Sequence, residues 1–426
     1  MKHAPDNWWE RAVFYELYVD KFAGNFQGLR KRLGYLEDLG ITCIHILPHY
    51  PSPMIDDGYD ISDYFDVRPG LGTLKDFENF AKDARTRGID IMLDFVLNHT
   101  STKHPWFREA RSNKKTPRRD FYIWSATGKE LQESINSFPS IKPSVWITNA
   151  PLGDFYFSTF YPEQADLNWR NPEVFSEMMK VLHFWTEFGV RGFRLDAASH
   201  LIKKEGTNSK SLPETHQLLK QIRNYTNSNW KDTAFLAEVN ETPEKSIEYF
   251  GDGDECQLVY NFPLAGELFL AVFRGDERGI HKLASKSSGL PDKCRWMAFL
   301  RSHDELALSM LMPDDREELL RAIDPEKRFL FGNGASVRLA TAFKNDQEKI
   351  KKAFSLLFEI SRKISARPII YYGDEIGMQN EKISKDEKDT RKSVRGSFNW
   401  NEAKKQQKNP DSLFSTITRK LNMTRI

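Results

Sequence analysis

Four apolar runs of this sequence end in charged or histidine side chains that would be costly to bury without a purpose. They close as Asp94-Phe-Val-Leu-Asn98-His99, Gly-Phe-Arg194-Leu-Asp196, Leu-Ala-Glu238 and Arg301-Ser-His303-Asp304. Arg194 and Asp196 are two apart, so on a strand both point to the same side. A guanidinium in that position is expected to keep Asp196 ionised, as a covalent nucleophile must be. Glu238, among apolar neighbours and other carboxylates, is expected to have a raised pKa and to donate a proton. Two carboxyl groups with split roles, roughly 5–5.5 Å apart, are what glycoside cleavage with retention requires. Asp304 would be the third acid, holding sugar hydroxyls, with His99 and His303 donating hydrogen bonds to the same ring.

Other candidates read as structural. Asp94 is expected to pair with Arg194 or to orient backbone. His45 and His49 lie four apart on a strand and its loop, which is not the helical spacing of a metal pair. His183 and His216 fall in helical segments. Asn98-His-Thr fits a glycosylation acceptor, a reading with no secretory signal behind it. The chain has no Gly-x-Ser-x-Gly, no phosphate loop and no dinucleotide fingerprint.

The elements that must position these groups follow from the apolar pattern. Eight short runs recur: Ala12–Leu17, Thr42–Leu47, Ile89–Val96, Val190–Leu195, Thr233–Ala237, Cys256–Tyr260, Met297–Leu300 and Pro368–Tyr372. Near-continuous apolarity suits parallel strands covered on both faces. Helical segments separate them, with Thr73 and Asp76 as a capping box and Asn171-Pro172-Glu173 as a second start signal. Eight strand–helix units predict an α/β fold, a (β/α)8 TIM barrel, whose strand ends form one mouth.

The periodicity fails between Asn98 and Trp169, a stretch rich in Pro, Lys, Ser and aromatics. It predicts an inserted irregular subdomain after strand three, packed over the mouth. The expected organisation is barrel over residues 1–98, insertion over 99–169 and barrel again over 170–426, with no C-terminal β-sandwich. A second excursion is expected at about Asp304–Asn345. Lys382–Lys408 reads as a mobile loop before a last helix, Ser412–Leu421.

Composition narrows the class. The chain has 426 residues with 62 basic and 60 acidic side chains, and no basic stripe argues for nucleic acid. Three distant cysteines exclude a disulfide scaffold and give no zinc spacing. No run reaches the length of a membrane span and no apolar leader precedes the first strand, so a cytoplasmic protein without a membrane partner is expected. Oligomeric state is left open.

The blocks Asp94–His99, Gly192-Phe-Arg194-Leu-Asp196-Ala-Ala-Ser-His200, Ala237-Glu238 and Ser302-His303-Asp304 resemble those of the α-amylase superfamily of retaining glycoside hydrolases and transglycosidases. Gln164-Ala-Asp166-Leu-Asn168-Trp169 resembles the family marker within the insertion. The resemblance implies Asp196 as nucleophile, Glu238 as acid/base and Asp304 as third acid. It also implies that Tyr59, Asp60, His99, Arg194 and His303 line the subsite of the glucosyl ring. A structural calcium ion on Asn98, Asp166 and the His200 carbonyl is implied too, an all-oxygen set for a hard cation. No organic cofactor is expected.

Within that family, Pro51–Tyr64, Leu97–Arg111, Glu205–His216 and Gly253–Cys256 are most similar to trehalose synthases, which interconvert maltose and trehalose. The implied substrate is a small α-glucoside such as maltose or trehalose, held in a closed pocket. Four departures mark this sequence. The loop Lys21–Gly28 lacks an acidic calcium-binding stretch, Ser302 stands where Asn is usual, and the C-terminal sandwich is not expected. Asn240-Glu241-Thr242 and Val394-Arg-Gly-Ser-Phe-Asn-Trp400 also differ, and both are expected to shape the acceptor side, Phe398 included. Hydrolysis of small α-glucosides, or transfer to another acceptor, is the alternative within this class. A catalytically inactive barrel acting as a binding partner is the alternative of another class.

Overall fold

A computed structural model describes residues 7–424. Eight parallel strands follow one another around a closed barrel: Phe14–Leu17, Cys43–Ile46, Asp90–Val96, Gly192–Asp196, Ala234–Ala237, Leu258–Tyr260, Arg295–Ala298 and Ala366–Tyr371. Closure is made by the first and eighth, where Phe14 registers with Ile369. The strands are apolar and buried along nearly their whole length, as a sheet with side chains packed inside and helices outside demands. The (β/α)8 barrel expected from the apolar runs is therefore the observed fold. The seventh and eighth strands each start two residues earlier than the apolar runs, because Arg295 and Arg367 pair in the ladder despite their charge.

Local sequence sets the helices that brace this ring. Thr73 Oγ1 accepts from the Asp76 N–H at 3.2 Å, and Asp76 Oδ2 accepts from the Thr73 N–H at 2.9 Å. That reciprocal cap is worth about 1 kcal/mol. It starts the helix Leu74–Thr86, which buries Phe77, Phe80, Ala81 and Ala84. Asn171 caps Pro172–Glu187 with one bond, its Oδ1 accepting from the Glu173 N–H at 2.9 Å, and that helix buries Val174, Met178, Val181, Leu182 and Trp185. Each large side chain so buried contributes roughly 1.5–3 kcal/mol.

Between the third and fourth strands the chain leaves the barrel. His99–Ser101 pairs antiparallel with Gln164–Asp166, and Trp124–Ser125, Asp154–Phe157 and Trp146–Asn149 form a second small sheet. Phe107 packs against Tyr122, Trp124 and Tyr156 to give this segment an aromatic core. After the seventh strand, Leu306–Ala307, Gly334–Ala335 and Leu330–Phe331 make a third small sheet beside the mouth.

The expected mobile loop is not one. Thr390–Val394 forms a buried 3-10 turn, and Trp400–Lys408 is helical, capped by Asn399. Ionic contacts hold the turn: Arg391 and Arg395 lie buried among carboxylates, so charge here marks packing rather than solvation. The last helix runs Leu413–Thr424. Among the described residues no helix is long and apolar enough to cross a membrane, and all three cysteines are unpaired and buried.

Candidate active site

The third, fourth and fifth strands set the register of the site. Asp94 lies opposite Arg194, and Val96 opposite Asp196. Ala237 pairs with Leu195, which delivers Glu238 to the rim beside Asp196. Arg194 is buried beneath them and works in three directions. Its Nη1 stands 2.6 Å from both Asp94 Oδ1 and Asp196 Oδ1, and its Nη2 2.6 Å from Glu238 Oε1. One guanidinium therefore spans the two carboxylates expected to do the chemistry. Glu238 Oε2 also accepts the Ala197 N–H at 2.8 Å.

Burial raises the pKa of both Asp196 and Glu238, with Arg194 opposing the rise in each. Asp196 is pushed up further by Glu238, Asp94 and Asp304, and Glu238 by Asp304. Arg194 opposes that rise at Asp196, as expected, but it divides its charge among three carboxylates. The two carboxyls share one cation and both are shifted upward, so they titrate as a linked pair.

The seventh strand supplies the opposite wall. His303 Nδ1 lies 3.0 Å from Glu16 Oε1, and its Nε2 3.1 Å from Asp304 Oδ2. Burial lowers the His303 pKa, but Asp304 and Glu16 outweigh it and raise it to about 9. Asp304 is held well below the usual carboxylate range: burial would raise it, and the His303 cation, Arg391 and Arg395 prevail. Arg391 Nη1 and Arg395 Nη2 reach Asp304 Oδ1 at 3.1 and 2.9 Å. Tyr59 closes the ring, with its hydroxyl 3.0 Å from Asp94 Oδ2 and 2.7 Å from His303 Nε2.

Asp196, Glu238, Asp304, Tyr59, Arg194 and His303 thus gather at one mouth, and Asp94 is the pairing partner of Arg194. His99 lies next to them, but its Nε2–H donates to the Tyr59 carbonyl at 3.2 Å and its Nδ1 faces Asn98 Nδ2 at 3.3 Å. Burial lowers its pKa to about 4, so the ring is neutral. Asp60 is turned away. It accepts from Ser52 Oγ at 2.8 Å and from the N–H groups of Ile55 and Asp56, fixing the loop rather than facing the mouth. Its neighbours take that place: Asp56 Oδ1 pairs with Arg391 at 2.8 Å, and Asp57 Oδ2 with Arg395 at 2.5 Å.

Sequence reasoning therefore missed Glu16, Asp56, Asp57, Arg391 and Arg395. Two signals were available: the doubled aspartate three residues before Tyr59, and two arginines four apart in a stretch otherwise read as solvated. The Phe398 ring packs with Phe22, Tyr35 and Trp400, whereas Arg395 of the same stretch reaches Asp304. Glu241 is held by Lys210 at 2.7 Å. His45 sits between Glu16 and Asp94 at 3.3 and 3.4 Å, a buried bridge in the base of the site.

The implied calcium ligands converge, but not on a vacant centre. Lys203 Nζ stands 2.6 Å from Asn98 Oδ1, 2.6 Å from Asp166 Oδ2 and 2.6 Å from the His200 carbonyl. Three acceptors match the three donors of an ammonium, and its charge repels a divalent ion. These residues do not fit calcium. Among the described residues no group of three or more His, Cys, Asp or Glu forms a metal site elsewhere.

Aromatic side chains from the insertion and from the excursion after the seventh strand form a roof-like cluster next to His99. Phe138 packs against Phe160, Tyr161 and Phe331 with ring centroids 5.2–5.7 Å apart. The Arg391 guanidinium lies 4.5 Å from the centre of the Phe331 ring. Tyr161 OH donates to Asp389 Oδ2 at 2.8 Å, joining the insertion to the 390–394 turn.

Comparison with known proteins agrees with this geometry. A model of the alpha amylase catalytic domain matches residues 4–416. A trehalose synthase of Pimelobacter sp. (strain R48) is 38% identical over 387 residues, covering 87% of this chain and 67% of that protein. A trehalose synthase/amylase of Mycobacterium tuberculosis is 39% identical over 386 residues, with 88% and 64% covered. The trehalose synthase of Thermus thermophilus is 38% identical, and the chain spans only 41% of its length. Among solved structures, trehalulose synthase MutB of Pseudomonas mesoacidophila MX-45 superimposes with a TM-score of 0.79 at 24% identity, covering 99% of this chain and 84% of that one, a likeness of fold.

Proposed function

The chain belongs to the α-amylase family, and from that premise we propose that it is a retaining α-glucoside-active enzyme that isomerises maltose and trehalose. The observation that carries the reading is Arg194 spanning Asp196 and Glu238. Relatives named trehalose synthase at 38–39% identity support the isomerase form of it.

In this reading Glu238 carries a proton, favoured by its burial, and delivers it to the glycosidic oxygen as that bond breaks. Asp196, left ionised against Arg194, attacks the anomeric carbon and forms a glucosyl-enzyme with inverted configuration. Asp304, anionic between His303, Arg391 and Arg395, binds hydroxyls of the glucosyl ring. The released glucose stays under the roof, turns, and presents a different hydroxyl. Glu238, now a base, removes its proton while that oxygen displaces Asp196, restoring the α configuration. Exclusion of water by Phe138, Phe331 and Tyr161 favours sugar over water as acceptor. A reducing, cytoplasmic setting belongs to the same proposal, supported by three buried unpaired thiols.

The test is incubation with maltose and separation of the products. Trehalose should accumulate, and trehalose supplied alone should return maltose. Glucose as sole product would overturn the isomerase reading, and no turnover at all the catalytic one. An Asp196→Asn variant should lose all glucosyl transfer while unfolding at the wild-type temperature.

A further inference from the structure

Lys203 is buried where three parts of the chain meet. Asn98 follows the third barrel strand, Asp166 lies on the inserted strand that pairs with His99, and the His200 carbonyl belongs to the turn after Asp196. Each gives one oxygen to the same ammonium at 2.6 Å. Asp166 is further fixed by the Thr159 hydroxyl and N–H and by Asn98 Nδ2. The centre is therefore tetrahedral in its demands: one carbon stem and three acceptors. Calcium would need six to eight oxygens at about 2.3–2.6 Å, and no further carboxylate is supplied here.

We propose that Lys203 is a built-in cation that takes the place of a structural metal at this junction, so that the chain joins insertion to barrel without a divalent ion. Loss of the ammonium leaves Asp166 buried without its counter-charge and frees Asn98, which abuts His99. A carboxylate at position 203 would turn the same three oxygens into a calcium site. The proposal does not depend on which glucoside the enzyme uses.

The experiment compares wild type, Lys203→Met and Lys203→Glu by calorimetry in EDTA, in millimolar calcium and in millimolar magnesium, with metal content measured after purification. Wild type should carry no stoichiometric metal, and its unfolding midpoint should be the same in all three solutions. Both variants should unfold on the order of 5 °C lower in EDTA. Calcium should raise Lys203→Glu towards wild type, and magnesium should not. A wild-type midpoint that falls in EDTA, or one calcium per purified chain, overturns the proposal. So does a Lys203→Met protein that unfolds with wild type. If Lys203→Glu does not fold in EDTA, refolding on addition of calcium supports the proposal as a raised midpoint would, and failure to refold overturns it.

Discussion

Ala197 donates its backbone N–H to Glu238 Oε2 at 2.8 Å. The residue that follows Asp196 therefore anchors the side chain of Glu238, so backbone joins Arg194 in fixing how the two carboxyl groups are spaced. Ala197 adopts φ 49° and ψ 38°, the left-handed region, which aims that N–H across the strands.

A β-branched side chain at this position should break the arrangement. Ala197→Val is expected to cost about 1–3 kcal/mol of stability from backbone strain, while Ala197→Gly relieves it. Urea unfolding of both variants checks this. Ala197→Val should also lower turnover more than substrate affinity, since the strain acts on the spacing of the two carboxyls. Wild-type kinetics in that variant would show that the Ala197 contact is not what spaces them.

The Asp304 clamp makes a prediction about acid pH. Arg391, Arg395 and His303 together keep this carboxyl well below its ordinary range. Arg395→Met removes one cation and should let the Asp304 pKa rise. The acid limb of the activity profile should then move to higher pH. kcat/KM at neutral pH should fall on the order of 100-fold, the scale of losing one charge-stabilising contact. An unmoved acid limb would show that Asp304 does not set it.

His303 predicts a stability effect of opposite sign. Its folded-state pKa is about 9, against 6.5 for an ordinary histidine. A raised folded pKa means that the stabilisation is fully present below about pH 6.5 and fades as pH rises through about 9. The gap between wild type and His303→Asn should therefore be largest near pH 6, on the scale of roughly 3 kcal/mol, and shrink by pH 10. Urea midpoints across that range measure it. A gap that grows with pH would contradict the charged state assigned to His303.

How much of this was legible in advance varies with the kind of signal. Parallel strands announce themselves because both faces are buried, so all eight apolar runs fall on barrel strands. Helix starts at Thr73 and Asn171 were readable because capping is local chemistry over three residues. Asp196 and Glu238 were legible as charges at the ends of such runs. What was hidden depends on long-range pairing. Arg391 meets Asp56 across 335 residues of sequence, and the spacing of two arginines four apart does not name the distant carboxylate that buries one of them. Asp56 and Asp57 rather than Asp60 meet the arginines at the mouth, in a loop where Asp57 takes φ 43°. Lys203 was invisible for the same reason: three oxygens at one point suit calcium or an ammonium, and only the path of the chain decides.

The roof carries the last prediction. Tyr161 belongs to the insertion and Asp389 to the segment after the eighth strand, and the hydrogen bond between them, 2.8 Å, ties the two together. Arg391 reinforces the tie through Asp389 at 2.6 Å and the Tyr161 hydroxyl at 3.2 Å. In an isomerase the freed glucose must stay while it turns, and water must stay out. Loosening the tie changes the outcome of the glucosyl-enzyme rather than its formation. Tyr161→Phe removes only the hydroxyl and keeps the ring packed on Phe138, so folding should be little affected, by about 1 kcal/mol. Consumption of maltose should remain within a few-fold of wild type, yet the ratio of released glucose to trehalose should rise severalfold. Chromatography of products at equal maltose consumption reads that ratio directly. An unchanged ratio in Tyr161→Phe would mean that the contact is packing alone and that water is excluded by the aromatic rings.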